Sequence, residues 1–120
     1  MRKIEREMIQ AIIDRRNFSK ANTSVVLHTS SSGKSKDMRV YLHGNWIAEY
    51  TQDGQLNINH CGWKTRTTKS RLNALIQFVL GGTFRLGQRN FEWFLFKTIS
   101  KDANTYVTTS IPFPDGWLTV

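Results

Sequence analysis

Turn signals in the middle of the chain leave no room for crossover connections. Gly33 lies in the polar run SSSGKSKD (residues 30–37), Gly44-Asn45 interrupts MRVYLHGNWIAEY (residues 38–50), and Gln52-Asp53-Gly54 comes soon after. Between these breaks the residues are of β type. VVLHT (residues 25–29) is β-branched and apolar. Met38, Val40 and Leu42 alternate with Arg39 and Tyr41, and Leu56 and Ile58 alternate with Asn57 and Asn59. Parallel neighbours need a connection of about a dozen residues or more, whereas antiparallel ones close through a two-residue turn. The spacing therefore predicts an antiparallel meander with strands near 24–29, 38–43, 46–51 and 55–60.

Two helical patterns flank the meander. Met1, Ile4, Met8, Ala11 and Ile12 share one helical face, which predicts an amphipathic helix from residue 2 to about 16. Leu72, Leu75, Ile76 and Val79 recur at i, i+3, i+4 and i+7, a second apolar stripe. Thr67 or Thr68 is the expected N-cap of this helix, and Gly81-Gly82 its stop. SKANTS (residues 19–24) reads as a break. Further on, TFRLGQ, NFEWFLFKTI and TYVTTSI are β-rich, with KDAN (residues 101–104) as a turn, and the aromatic PFPDGWLTV reads as a tail folded onto the body. The fold class is α+β: an N-terminal helix, a meander, a second helix packed on the sheet and a C-terminal β-hairpin. The 120 residues suit one domain, 1–120.

No apolar run is long enough to cross a bilayer, and MRKIEREMIQ carries acids where a secretory signal is apolar. Cys61 is the only cysteine, so no internal disulfide is expected. Lys and Arg number 17 against 9 Asp and Glu, a formal charge of +8. Such a chain is attracted to polyanions, and nucleic acid is the commonest of them in a cytosol.

The cations crowd one place. KTRTTKSR (residues 64–71) holds four cations and four hydroxyls where the second helix begins. A helix N-terminus disfavours cations and binds anions. A phosphate there turns the penalty into attraction. Lys64, Arg66, Lys69 and Arg71 are the expected phosphate contacts, with Thr67, Thr68 and Ser70 as neutral donors. Lys34, Lys36 and Arg39, in and beside the loop over residues 31–39, extend the surface. Trp63, next to Lys64, is placed to stack on a base. Four neutralised phosphates imply that log affinity falls with log salt at a slope of about −3 to −4.

Other chemistry finds little here. Neither Lys69-Ser70 nor Gly33-Lys34-Ser35 has the glycine frame of a phosphate-binding loop. His28, His43, His60 and Cys61 lack the separations of a zinc site, since adjacent His60 and Cys61 point apart in a strand. No nucleophile motif or paired-carboxylate pattern is present, so no catalysis, metal or cofactor is expected.

VYLHGNWIA (residues 40–48) and GWKTRTTKSRLNAL (residues 62–75), with the start MRKIEREM, resemble a pattern in small tailed-bacteriophage proteins with a VYLHGN-x-IA hairpin and a GW-x-T-x-TTKSRLNAL helix start. The resemblance covers about the first two-thirds of the chain. It implies a phage protein acting in the host bacterial cytoplasm, and no particular activity.

The expected function is that of a non-enzymatic phage accessory protein that binds nucleic acid. An inhibitor of a host enzyme or defence complex is the alternative, motivated by the aromatic stretches FEWFLFKTI and IPFPDGWL. A nucleotide or anion sponge at the same helix start is the third. No membrane partner is expected. An exposed edge of the meander could pair two copies as a homodimer.

Overall fold

The computed structural model describes residues 1–33, 36–100, 104 and 106–120. Lys34 and most of the 101–104 turn lie outside the described residues. The described chain forms two helices and nine strands, an α+β fold. α1 (Lys3–Ile13) precedes β1 (Phe18–Lys20), β2 (Thr23–Thr29), β3 (Lys36–Leu42), β4 (Asn45–Tyr50) and β5 (Leu56–Ile58). α2 (Arg66–Leu80) follows, then β6 (Phe84–Arg89), β7 (Glu92–Ser100), β8 (Tyr106–Pro112) and β9 (Leu118–Thr119).

The meander is antiparallel throughout, in the order β1-β2-β3-β4-β5-β9. Two of its strands are additions to the sequence reading. SKANTS is not a plain break, because Phe18–Lys20 folds back on Val25, Ser24 and Thr23 as a short edge. At the other edge the tail does return to the body, with Leu118 paired to Ile58. The β3–β4 turn is His43-Gly44, one residue earlier than the Gly44-Asn45 signal implied. Both turn residues have positive φ, 51° and 80°. That is the left-handed pair a two-residue hairpin needs. α1 ends at Ile13, short of the expected 16, with Arg15 at φ 54°.

One face of the large sheet is apolar. Val25, Met38, Val40, Ala48, Leu56 and Ile58 are fully buried beneath Met8, Ile12, Leu72, Leu75 and Ile76 of the helices. At about 25 cal/mol per Å² of apolar area, this continuous layer is the main favourable contribution to folding. α2 also touches the small antiparallel sheet β6-β7-β8. Asn73 makes that junction: its Nδ2 donates to the Leu86 carbonyl (3.1 Å) and its Oδ1 accepts the Leu86 amide (2.6 Å). The expected C-terminal hairpin, β7–β8, is thus part of a three-stranded sheet. Trp93, Leu95 and Phe113 are buried. Phe94 and Phe96, on the other parity, are half-buried under the Arg89 and Arg85 guanidinium groups, 4.5 and 4.8 Å from the ring centres.

Candidate nucleic-acid interface at the start of α2

Four hydroxyls stand near the start of α2, and Thr65 is the one that caps it. Its backbone is extended (φ −100°, ψ 163°), and its Oγ1 accepts the Thr68 amide at 3.1 Å. Thr67 and Thr68, the caps expected from sequence, are the second and third residues of the helix. Thr68 is buried, with its Oγ1 3.0 Å from that of Thr65. The Lys69 amide bonds to the Thr65 carbonyl. Among the described residues, the Arg66 and Thr67 amides have no partner in the chain, as expected for the first turn of a helix.

Beside this first turn lies a cleft of about 370 Å³. Leu42, His43, Asn45 and Ile47 from the end of the β3–β4 hairpin form one wall, and Trp63, Thr65, Thr67 and Thr68 form the other. The segments VYLHGNWIA and GWKTRTTKSRLNAL therefore meet in one place. Trp63 is 58% exposed, which makes its ring available to a ligand. Lys64 and Arg66 are exposed, and among the described residues neither forms an ion pair.

The remaining cations of the cluster are engaged. Arg71 is 3% exposed, and its Nη1 donates to Glu5 Oε2 at 2.9 Å. Its Nε donates to Thr23 Oγ1 (3.0 Å) and its Nη2 to Asn22 Oδ1 (3.4 Å). Ser70 Oγ donates to the same Glu5 oxygen at 2.5 Å, and the Arg2 amide donates to Glu5 Oε1 at 3.1 Å. Arg71, Thr68 and Ser70, all expected at a phosphate, are thus structural. Burying an arginine needs a paired, hydrogen-bonded anion, and Glu5 of α1 supplies it. Burial pushes the Glu5 carboxyl up. The bonds from Ser70, Arg2 and Arg71, with the Arg71 charge, outweigh this and hold it below the usual 4.5. Lys69 is half-buried, with its Nζ 5.9 Å from the centre of the Trp93 ring.

The expected extension of the surface is not brought together with the helix start. Leu42 lines the cleft, and Lys36 lies six residues away at the other end of β3, about 20 Å at strand spacing. Arg39 sits on the sheet face opposite the buried Met38 and Val40. Its guanidinium stacks on Trp46 (4.1 Å), and its Nε lies 3.6 Å from Glu49 Oε1.

Two residues take structural roles that the sequence did not reveal. Glu5 is the third residue of α1, where an acid is a capping signal, and it is buried. His60 is 1% exposed, packed on Phe113 (5.0 Å) and Trp93 (5.9 Å). Its Nδ1 accepts the Gly62 amide at 2.9 Å, which shapes the turn leading to Trp63. Asp115 Oδ1 lies 3.5 Å from its Nε2. Burial and the Lys64 charge lower its pKa below the usual 6.5, against the opposing pull of Asp115 and the Pro114 carbonyl. Cys61 is half-buried, and burial raises its thiol pKa, so it stays protonated at neutral pH.

A family model described as Kyanoviridae Gp96 protein matches residues 1–119. The chain belongs to the Kyanoviridae Gp96 protein family. It is therefore a bacteriophage protein, as the resemblance in its first two-thirds implied. No curated protein and no solved structure matches. Among the described residues of this Gp96 family member, no helix is long and apolar enough to cross a membrane.

Proposed function

We propose that this phage protein is a non-enzymatic accessory factor that binds single-stranded nucleic acid at the start of α2, within the host bacterial cytoplasm. One observation carries the reading: a cleft with an exposed Trp63 on its wall opens beside a helix N-terminus flanked by Lys64 and Arg66, exposed cations without an ion pair among the described residues. A phosphate at the Arg66 and Thr67 amides gains the helix dipole and both side chains. A base in the cleft then lies against the indole, and the Asn45 amide and Thr67 hydroxyl offer polar contacts to its edge. The hairpin wall and the tryptophan suit an unstacked base, so the preference is for single strands. A free nucleotide would use the same groups, and weaker binding of it is expected.

The inhibitor reading draws less support. Its motive was an exposed aromatic patch in FEWFLFKTI and IPFPDGWL, but Trp93 and Phe113 are buried and Phe94 and Phe96 lie under arginines, which leaves only Phe91 (91% exposed, at the β6–β7 turn) and Trp117 (42%, against Trp46) of those aromatics at the surface. The test is to titrate the protein with labelled single-stranded and duplex oligonucleotides of equal length, beside a Trp63→Ala variant. The expected result is tighter single-strand binding that the variant loses. Equal or absent binding of the two forms refutes the proposal.

A further inference from the structure

Among the described residues, the small sheet has one edge blocked by a helix side chain and one uncovered. Asn73 of α2 caps β6 by bonding both backbone groups of Leu86. β8 packs on β7, and its Tyr106 and Ile111 are 66% and 55% exposed. The bond from the Phe113 amide to the Trp93 carbonyl (3.0 Å) fixes the phase of the β7–β8 ladder. Odd-numbered residues of β8 bond to β7. The backbone groups of Tyr106, Thr108 and Ser110 therefore point away from the sheet. The edges of the large sheet differ: β1 has three residues and ends in Lys20, and β9 has two. Short or charged edges resist pairing, and a seven-residue neutral edge invites it.

We propose that β8 pairs antiparallel with β8 of a second copy, about a twofold axis through Thr109. Two features of the strand favour its own copy over another occupant. Tyr106–Pro112 carries no charge in a chain of net charge +8, so the edge is where two copies approach with least repulsion. The sequence is also self-complementary about Thr109. Val107 falls opposite Ile111, Thr108 opposite Ser110, and Tyr106 opposite Pro112. Each pair shares a face, because opposed residues of an antiparallel ladder point the same way. The exposed side chains of Ile111 and Tyr106 gain apolar neighbours, and hydroxyls meet hydroxyls. Thr108 and Ser110 exchange backbone bonds twice. Tyr106 donates to the Pro112 carbonyl, where the missing proline N–H ends the ladder, about six bonds in all. The product is a closed isologous dimer with one continuous sheet across the axis. It uses the small sheet and not the meander, and it does not depend on what the α2 cleft binds.

Sedimentation equilibrium of the full chain in about 0.5 M salt, where bridging by contaminating nucleic acid is screened, tests this directly. The expected result is a monomer–dimer equilibrium. Thr109→Lys places two like charges on the axis at an exposed position and should raise the dimer Kd at least about tenfold with an unchanged circular dichroism spectrum. Mixing Thr109→Lys with Thr109→Glu should restore a heterodimer. In a Cys61→Ser background, Thr109→Cys should oxidise to a covalent dimer, since non-bonded pairs sit about 4.5 Å apart at Cα, within disulfide range. A chain that stays monomeric at every concentration overturns the proposal. A dimer indifferent to Thr109→Lys does the same.

Discussion

Residues 64–67 and 68–71 are alike in composition and opposite in role. Each half holds two cations and two hydroxyls. In the first, Lys64 and Arg66 reach solvent with no ion pair among the described residues, and Thr67 lines a cleft. In the second, Thr68 is buried beside the cap, Ser70 and Arg71 bind Glu5, and Lys69 leans on Trp93. The helix itself divides them. With 3.6 residues per turn, a cluster that straddles the first turn must send part of itself inward. The two halves still cooperate. The Asn22 carbonyl accepts the His43 amide (2.8 Å), and the Asn22 side chain accepts Arg71. The inward arginine thus helps hold the hairpin wall of the cleft that the outward cations flank.

Substitutions should separate the halves. The largest effect falls on the inner one. Arg71→Ala strands the Glu5 carboxylate and should cost about 3–5 kcal/mol in denaturant unfolding. Glu5→Leu/Arg71→Met should cost less than either single change, because no buried charge is left unpaired. Additive costs in that cycle would show that the two residues are not coupled. Next, Trp63→Ala should weaken single-strand binding by about 1–3 kcal/mol while leaving the unfolding midpoint within experimental scatter. A stability loss of similar size would make Trp63 a packing residue. Thr65→Ala removes the cap and should cost about 1 kcal/mol of stability, whereas Thr67→Ala should cost less, since Thr67 makes no cap bond.

The smallest effects come from pH. The His60 pKa is lowered in the folded protein, so its contribution is complete above about pH 6.5 and is lost as pH falls through the lowered value. Glu5 is lowered too, so its contribution is complete above about pH 4.5 and is lost further into acid. Thermal unfolding from pH 7 downward should show stability falling first through His60 and then through Glu5. His60→Phe should remove the first decline. If that decline persists in the variant, another group is responsible.

Much of this fold was legible because its signals are local. The alternation in 38–42, the stripe 72–79 and the closely spaced turns each describe neighbours in the chain. β1 and β9 escaped because three and two residues carry too little pattern, and their pairing depends on an existing edge. The site was half legible. Trp63, Lys64 and Arg66 stand where the charge argument put them, beside the helix start. Arg71 was misread because its partner lies 66 residues away, and nothing in KTRTTKSR distinguishes a buried arginine from a solvated one. Arg39 and Lys36 were misjoined because a loop close in sequence to one end of β3 is far in space from the other.

The measurement that tests the account most directly is the salt dependence of single-strand binding, followed by fluorescence anisotropy, for the wild type and Lys64→Glu/Arg66→Glu. Among the described residues only Lys64 and Arg66 of the cluster are both exposed and without an ion pair, so the wild-type slope of log affinity against log salt should be about −1.4, not the −3 to −4 that four phosphate contacts would give. The double variant should lose that binding and keep its unfolding midpoint. Wild-type binding that ignores salt, or a variant that binds as well as wild type, would contradict the assignment of the α2 start as a nucleic-acid interface.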